Sequence, residues 1–126
     1  MDQQRKESRK KLMAFTPVYD LRTKTLLGYI GDLTPKGAMV VGEKSVEVDR
    51  HFVLGIEFPE APPTMAATRI VLPSRVAWCR QDEDSPHGFN IGFEFTEISA
   101  ENAVVIGAIL DRYQFRPASD VSDLSS

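Results

Sequence analysis

The feature that most constrains this chain is a strictly alternating stretch at residues 89–95. Large apolar side chains recur there at every second position: Phe89, Ile91, Phe93 and Phe95. Polar or small residues occupy the positions between them. Because every second side chain of a β-strand points to the same face, the pattern predicts a strand with one face in a hydrophobic core.

Further short segments predict strands, separated by turn-forming residues. They lie at residues 12–19, 25–30, 38–41, 52–58 and 68–80, the last of them interrupted at Pro73-Ser74. The first two predict a hairpin, and Pro17 favours an edge strand or a bulge. From Ser99, a predicted N-cap, the apolar period becomes that of a helix as far as Tyr113. Short strands followed by one helix indicate an all-β barrel with a helical lid.

The chain has 126 residues, a length that suits one domain with a real core. We expect residues 1–11 to form a flexible basic arm, because no apolar anchor precedes Leu12. Residues 12–115 are expected to form the barrel and the helix. Residues 116–126 lack periodicity and are expected to be a disordered tail.

Charge and hydropathy exclude several classes of protein. The net charge is −3, although the first 11 residues hold five Lys and Arg against two acids, so the body is acidic. This balance argues against DNA or RNA binding and favours contact between the arm and a small anion. No apolar run is long enough to insert into a membrane, and the N-terminus lacks a secretory signal, which predicts a cytoplasmic protein.

Residues able to perform catalysis are few. His51 and His87 lie in no spacing typical of a triad or a metal site, and we expect both at the surface. Cys79 is the single cysteine, and is expected to be a small buried hydrophobe. Trp78 is expected in the core, and acidic residues 82–84 in a solvated turn. We therefore predict a protein that is not an enzyme and has no cofactor or metal ion.

Two short motifs remain: Arg5 and Arg9, spaced as R-x-x-x-R before the first strand, and the turn Asp32-Leu33-Thr34-Pro35-Lys36-Gly37 after the second. With this pair the sequence resembles the PilZ family, whose members combine such an arm with a D/N-x-S-x-x-G turn. Thr34 stands where the family usually has serine. The strands at 76–78 and 88–95 extend the resemblance over residues 5 to 113. It implies a six-stranded antiparallel barrel with a C-terminal α-helix, and binding of the bacterial second messenger cyclic di-GMP.

The residue types suit that ligand chemically. A guanidinium can pair with guanine O6 and N7, stack on the base or hold phosphate, so Arg5 and Arg9 are expected to clamp the ligand, with charge added by Lys10. Asp32 can accept from guanine N1 and N2, or instead cap the turn through the amide of Thr34 or Lys36. Thr34 is expected to add a hydroxyl contact, and Gly37 a positive φ that brings backbone close to the ligand.

A hairpin would return the chain near its start and so place Arg9 beside Asp32. We expect the ligand to order the arm and thereby create a surface for a protein partner. One alternative is a PilZ-like interaction adaptor that binds no nucleotide. A second is a barrel that binds single-stranded nucleic acid, which needs exposed aromatic side chains in a basic groove and fits an acidic body poorly.

Overall fold

The computed structural model describes residues 11–61, 64 and 66–116. That part of the chain forms eight strands and one helix. In chain order they are β1 (Lys11–Met13), β2 (Pro17–Asp20), β3 (Thr25–Thr34), β4 (Gly37–Gly42), β5 (His51–Ala61), β6 (Ala66–Gln81), β7 (Phe89–Phe95), α1 (Ala100–Arg112) and β8 (Tyr113–Phe115).

Strands β2 to β7 form a closed six-stranded barrel in the order β2-β3-β4-β7-β6-β5, and every neighbouring pair is antiparallel. The predicted fold class is therefore confirmed. The alternation in β7 is confirmed as well, because Ile91, Phe93 and Phe95 are buried and Phe89 is half-buried. Other strands supply side chains with no exposed surface to the same core: Val18, Ile30, Val40, Leu54, Ile56, Phe58, Leu72 and Val76.

The segment predicted as one first strand is two strands in the structure. Strand β1 lies outside the barrel and pairs in parallel with β8, where Leu12 is the register partner of Gln114. Strand β2 pairs with both β3 and β5, which confirms the predicted β2–β3 hairpin and makes the edge-strand expectation for Pro17 wrong. Pro17 is tolerated because it is the first residue of its strand.

The predicted break at Pro73-Ser74 is also wrong, since β6 runs unbroken through both residues. The carbonyl of Pro73 accepts from the backbone amide of Thr96 at 2.9 Å. Thr96 is the first residue after the end of β7. Pro73 therefore lies one residue beyond the last register pair of β6 with β7, where a missing amide disrupts the ladder least.

Helix α1 packs on the barrel through Ile106 and Ile109, which belong to the same hydrophobic core. The predicted N-cap is confirmed, because the Ser99 hydroxyl accepts from the amide of Asn102 at 3.1 Å. The Asn102 side chain also donates to the carbonyl of Val71 on β6 at 2.9 Å and so fixes the start of the helix. Within the described ranges, no helix is long and apolar enough to cross a bilayer.

Gly107 offers a direct test of how this helix is stabilised. A methyl group at position 107 would meet nothing within 4 Å, and glycine in a helix interior costs up to about 1 kcal/mol relative to alanine. Gly107→Ala is therefore expected to raise the free energy of unfolding by up to about 1 kcal/mol in urea titrations. Ala108→Gly, at the adjacent position, should lower it by a similar amount. A loss of stability in Gly107→Ala would contradict this account.

Candidate functional site

The turn between β3 and β4 is built around the hydroxyl of Thr34. Its Oγ1 accepts from the amide of Gly37 at 3.0 Å and from that of Lys36 at 3.2 Å, and it donates to the Gly37 carbonyl at 3.2 Å. Thr34 thus caps the turn, the role considered above for Asp32. Its predicted hydroxyl contact with a ligand stays a prediction.

Gly37 is required for a reason other than the predicted one. Its φ does not lie in the left-handed region, so the expectation of a positive φ is wrong. A Cβ at this position would lie 2.3 Å from the carbonyl oxygen of Phe93. Strand β7 passes this close because the amide of Phe95 donates to the Lys36 carbonyl at 2.9 Å. Glycine therefore permits β4 and β7 to pair beside the turn.

Asp32 owes its exposed position to a bulge in β3. The register of β3 with β4 shifts between Ile30 and Asp32, so Gly31 is the extra residue. In a regular strand without a bulge, residues 30 and 32 would share a face, and Asp32 would point inward with Ile30. In the structure Asp32 is exposed and Leu33 is buried instead.

The carboxylate of Asp32 uses only one of its two oxygens for a hydrogen bond within the described residues. Its Oδ1 accepts from the amide of Leu33 at 2.9 Å, so the predicted capping of Thr34 or Lys36 is wrong. Among the described residues, its second oxygen makes no hydrogen bond. One carboxylate oxygen therefore faces solvent next to the turn and can accept from a ligand.

A row of register partners crosses the outer face of the barrel from Asp32 to Trp78. Asp32 pairs with Met39, Met39 with Gly92, and Gly92 with Trp78. A Cβ at Gly92 would lie 2.2 Å from the indole Nε1 of Trp78, so the indole rests directly on the backbone of β7. With neighbouring strands about 4.8 Å apart, this row is about 14 Å long.

Trp78 is not a core residue, and that expectation is wrong. It is 36% exposed, and the register of β6 with β7 shifts between Val76 and Trp78. Counted from the buried Val76, Trp78 should point inward, but the extra residue Ala77 reverses the alternation. The guanidinium of Arg80 lies 5.4 Å from the centroid of its ring. Together they present an aromatic surface beside a positive charge.

The sequence reasoning missed Trp78 as a candidate binding residue. A signal was present in the sequence, because Gly92 is a small residue on the outer face of the strand with the clearest alternation. A glycine there leaves room for a large side chain from the neighbouring strand. Recognising that the neighbour is Trp78 required the register of β6 and β7.

Arg75, on β6, lies on the same outer face of the barrel. Its Nε and Nη2 donate to Oε1 of Glu94 at 3.3 and 3.0 Å, and its Nη1 pairs with Asp49. The hydrogen bonds to Glu94, and after them those to Asp49, raise the pKa of Arg75 above its ordinary value. Glu94 is in turn the register partner of Gly37. The ion pair therefore adjoins the turn.

The chain enters the barrel beside this site. The amide of Ile30 donates to the carbonyl of Thr16 at 2.9 Å, and the ring centroids of Phe15 and Tyr29 are 5.9 Å apart. The predicted arm residues Arg5, Arg9 and Lys10 lie outside the described residues. Arg9 precedes the first residue of β1, Lys11, by two residues, and β1 is held against β8.

Other candidate chemistry is sparse in the ranges that the structure covers. His51 and His87 are exposed, as predicted, and Cys79 is partly buried against the core. No three His, Cys, Asp or Glu side chains in these ranges are grouped so that they could hold a metal ion. A shallow depression lies where β4 ends and β7 begins, lined by Glu43, Pro86, His87 and Phe89.

Comparison with known proteins gives one match. A family model described as PilZ domain matches residues 3–113. A search of curated proteins and a search of solved structures each found nothing that matches. The matched range includes the turn, the outer-face row and the segment that holds Arg5 and Arg9.

Proposed function

The chain belongs to the PilZ domain family, which is known for binding cyclic di-GMP, and we propose that it is a cyclic di-GMP receptor of the bacterial cytoplasm. One observation carries the proposal most directly. A bulge exposes the carboxylate of Asp32 in the same row as the exposed indole of Trp78. Asp32, at one end of the row, can therefore form hydrogen bonds with guanine, and Trp78, at the other end, can stack on a base.

Each residue has a definite part in this proposal. The free oxygen of Asp32 accepts from N1 or N2 of guanine, a donor pattern that adenine lacks. Arg5 and Arg9 supply guanidinium groups to guanine edges and phosphates, and Lys10 adds positive charge. Thr34 and Gly37 form the wall of the turn. Trp78 provides a stacking surface on the opposite side.

Ligand binding would also change the surface that the protein offers to a protein partner. Its two phosphates attract the basic arm, which holds five Lys and Arg within residues 1–11. Binding therefore draws the arm onto the outer face next to Asp32 and creates a surface for a protein partner. PilZ domains are binding domains rather than enzymes, and we propose the same for this chain, with no cofactor beyond the ligand.

Isothermal titration with cyclic di-GMP tests the proposal. The wild type is expected to bind cyclic di-GMP with a Kd near micromolar, a free energy of binding of about −8 kcal/mol. It should not bind GTP or cyclic di-AMP. Arg9→Ala and Asp32→Ala should each weaken binding about tenfold, because each removes charged hydrogen bonds to the ligand. Arg22→Ala, at an exposed turn away from the site, is the matched control and should bind as the wild type does.

A wild type that gives no heat at high ligand concentration would contradict the receptor function. The adaptor that binds no nucleotide would then take its place. Binding to single-stranded oligonucleotides, falling steeply as salt rises, would favour the nucleic-acid alternative instead.

A further inference from the structure

The ion pair between Arg75 and Glu94 leaves a local excess of negative charge near the proposed site. Arg75 carries one positive charge and pairs with two carboxylates, Glu94 and Asp49. Both carboxylates are largely exposed, with 57% of the Glu94 side chain and 75% of the Asp49 side chain accessible. An anionic ligand on the adjacent turn would be repelled by Glu94, which is the register partner of Gly37.

Glu94 lies between Arg75 and the turn. It is the register partner of Gly37 on β4 and of Arg75 on β6, and Gly37 is the partner of Thr34 on β3. Its side chain points outward, because its neighbours Phe93 and Phe95 are buried. Gly37 has no side chain to separate the Glu94 carboxylate from the turn. Only the direction in which that carboxylate leans decides how close it comes to a ligand there.

Arg75 sets that direction. Two of its nitrogens hold the same oxygen, Oε1 of Glu94, at 3.3 and 3.0 Å. Both bonds draw the carboxylate toward β6 and away from Gly37. Arg75 is itself held by Asp49, whose backbone is fixed beside β6 because its amide donates to the carbonyl of Val76 at 2.8 Å.

We propose that Arg75 is a positioning residue of the ligand site, which keeps the Glu94 carboxylate off the turn and offsets its charge. The inference rests on the proposed function, since it needs an anionic ligand on the turn. Arg75 acts through Glu94 and does not touch the ligand. Removing Arg75 therefore harms binding only while Glu94 keeps its charge.

A double-mutant cycle tests this dependence. In low salt, Arg75→Gln is expected to weaken cyclic di-GMP binding about threefold to tenfold, because Glu94 then faces the phosphates unpaired. Glu94→Gln should bind at least as tightly as the wild type. The double variant Arg75→Gln/Glu94→Gln should return to about the wild-type affinity, and the penalty of Arg75→Gln should shrink as salt rises.

A second ion pair on the outer face supplies the matched control. Arg69 and Glu57 pair at 2.7 Å across β5 and β6, with half-exposed side chains. Arg69→Gln should leave the affinity unchanged, and thermal unfolding of every variant checks that the barrel is intact.

The outcomes separate the two proposals. A wild type that does not bind overturns the proposed function. A wild type that binds, with a double variant as weak as Arg75→Gln, overturns the inference alone, because Arg75 would then contact the ligand itself. Weaker binding in Glu94→Gln overturns it as well, since Glu94 would then be a ligand contact.

Discussion

Replacing Phe58 with alanine is expected to lower the free energy of unfolding by about 3–5 kcal/mol. Phe58 has no exposed surface, and its ring centroid lies 6.3 Å from that of Phe115. Alanine would lose the burial of a phenyl ring and leave a cavity that the closed barrel cannot readily collapse. A domain of this kind has a total stability of about 5–15 kcal/mol, so the variant should lose a large fraction of it.

Urea titration of Phe58→Ala measures the effect, and Phe58→Leu is the matched control. Leucine keeps most of the apolar volume and should cost less than half as much. Phe15→Ala, which removes a half-buried ring on the outer side of the same end, should also cost less. A loss below about 1 kcal/mol for Phe58→Ala would show that this end of the barrel is loosely packed.

The barrel could be predicted because its strands obey a simple period. The alternation of residues 52–58 and 89–95 depends only on which residues face the core, and the structure keeps both faces as predicted. The helix followed for the same reason, from Ser99 and the apolar positions after it. These features are local, so a single sequence contains them.

The errors share a physical cause, which is that bulges and pairing depend on the neighbouring strand. The bulge at Ala77 moves Trp78 outward, against the expectation of a core position; the bulge at Gly31 places Asp32 outward in the same way, which agrees with its expected place at the site. One extra residue reverses every side chain after it, and nothing local in the sequence announces it. The parallel pairing of β1 with β8 joins opposite ends of the chain and was equally hidden.

The motif residues show the same division between local and tertiary causes. The turn predicted at residues 32–37 follows from its composition, but in the structure it is confined to residues 34–37, because β3 extends to Thr34. The need for glycine at position 37 comes from the carbonyl of Phe93 on another strand, which no turn rule could supply. Arg5, Arg9 and Lys10 remain predictions, because they lie outside the described residues.

Replacing Trp78 with alanine is expected to weaken cyclic di-GMP binding tenfold to about a hundredfold, the cost of losing one stacked base. The barrel should stay folded, because the ring is 36% exposed and lies on the outer face. Trp78→Phe keeps a flat aromatic ring and should retain most of the affinity. Leu26→Ala, which removes an exposed apolar side chain on another part of the surface, should not change it.

Gly92→Ala tests the same surface without touching the indole chemically. The added methyl group would lie 2.2 Å from Nε1 of Trp78, so the ring must move off the backbone of β7. Affinity should fall toward that of Trp78→Ala, although every group proposed to contact the ligand is still present.

The protein has a single tryptophan, so its fluorescence reports this position alone. Saturating cyclic di-GMP should quench the emission in the wild type, and the quenching should be smaller in Gly92→Ala. If the emission does not respond in the wild type and Trp78→Ala binds with full affinity, the ligand does not stack on this ring, and recognition must rest on Asp32 and the arm.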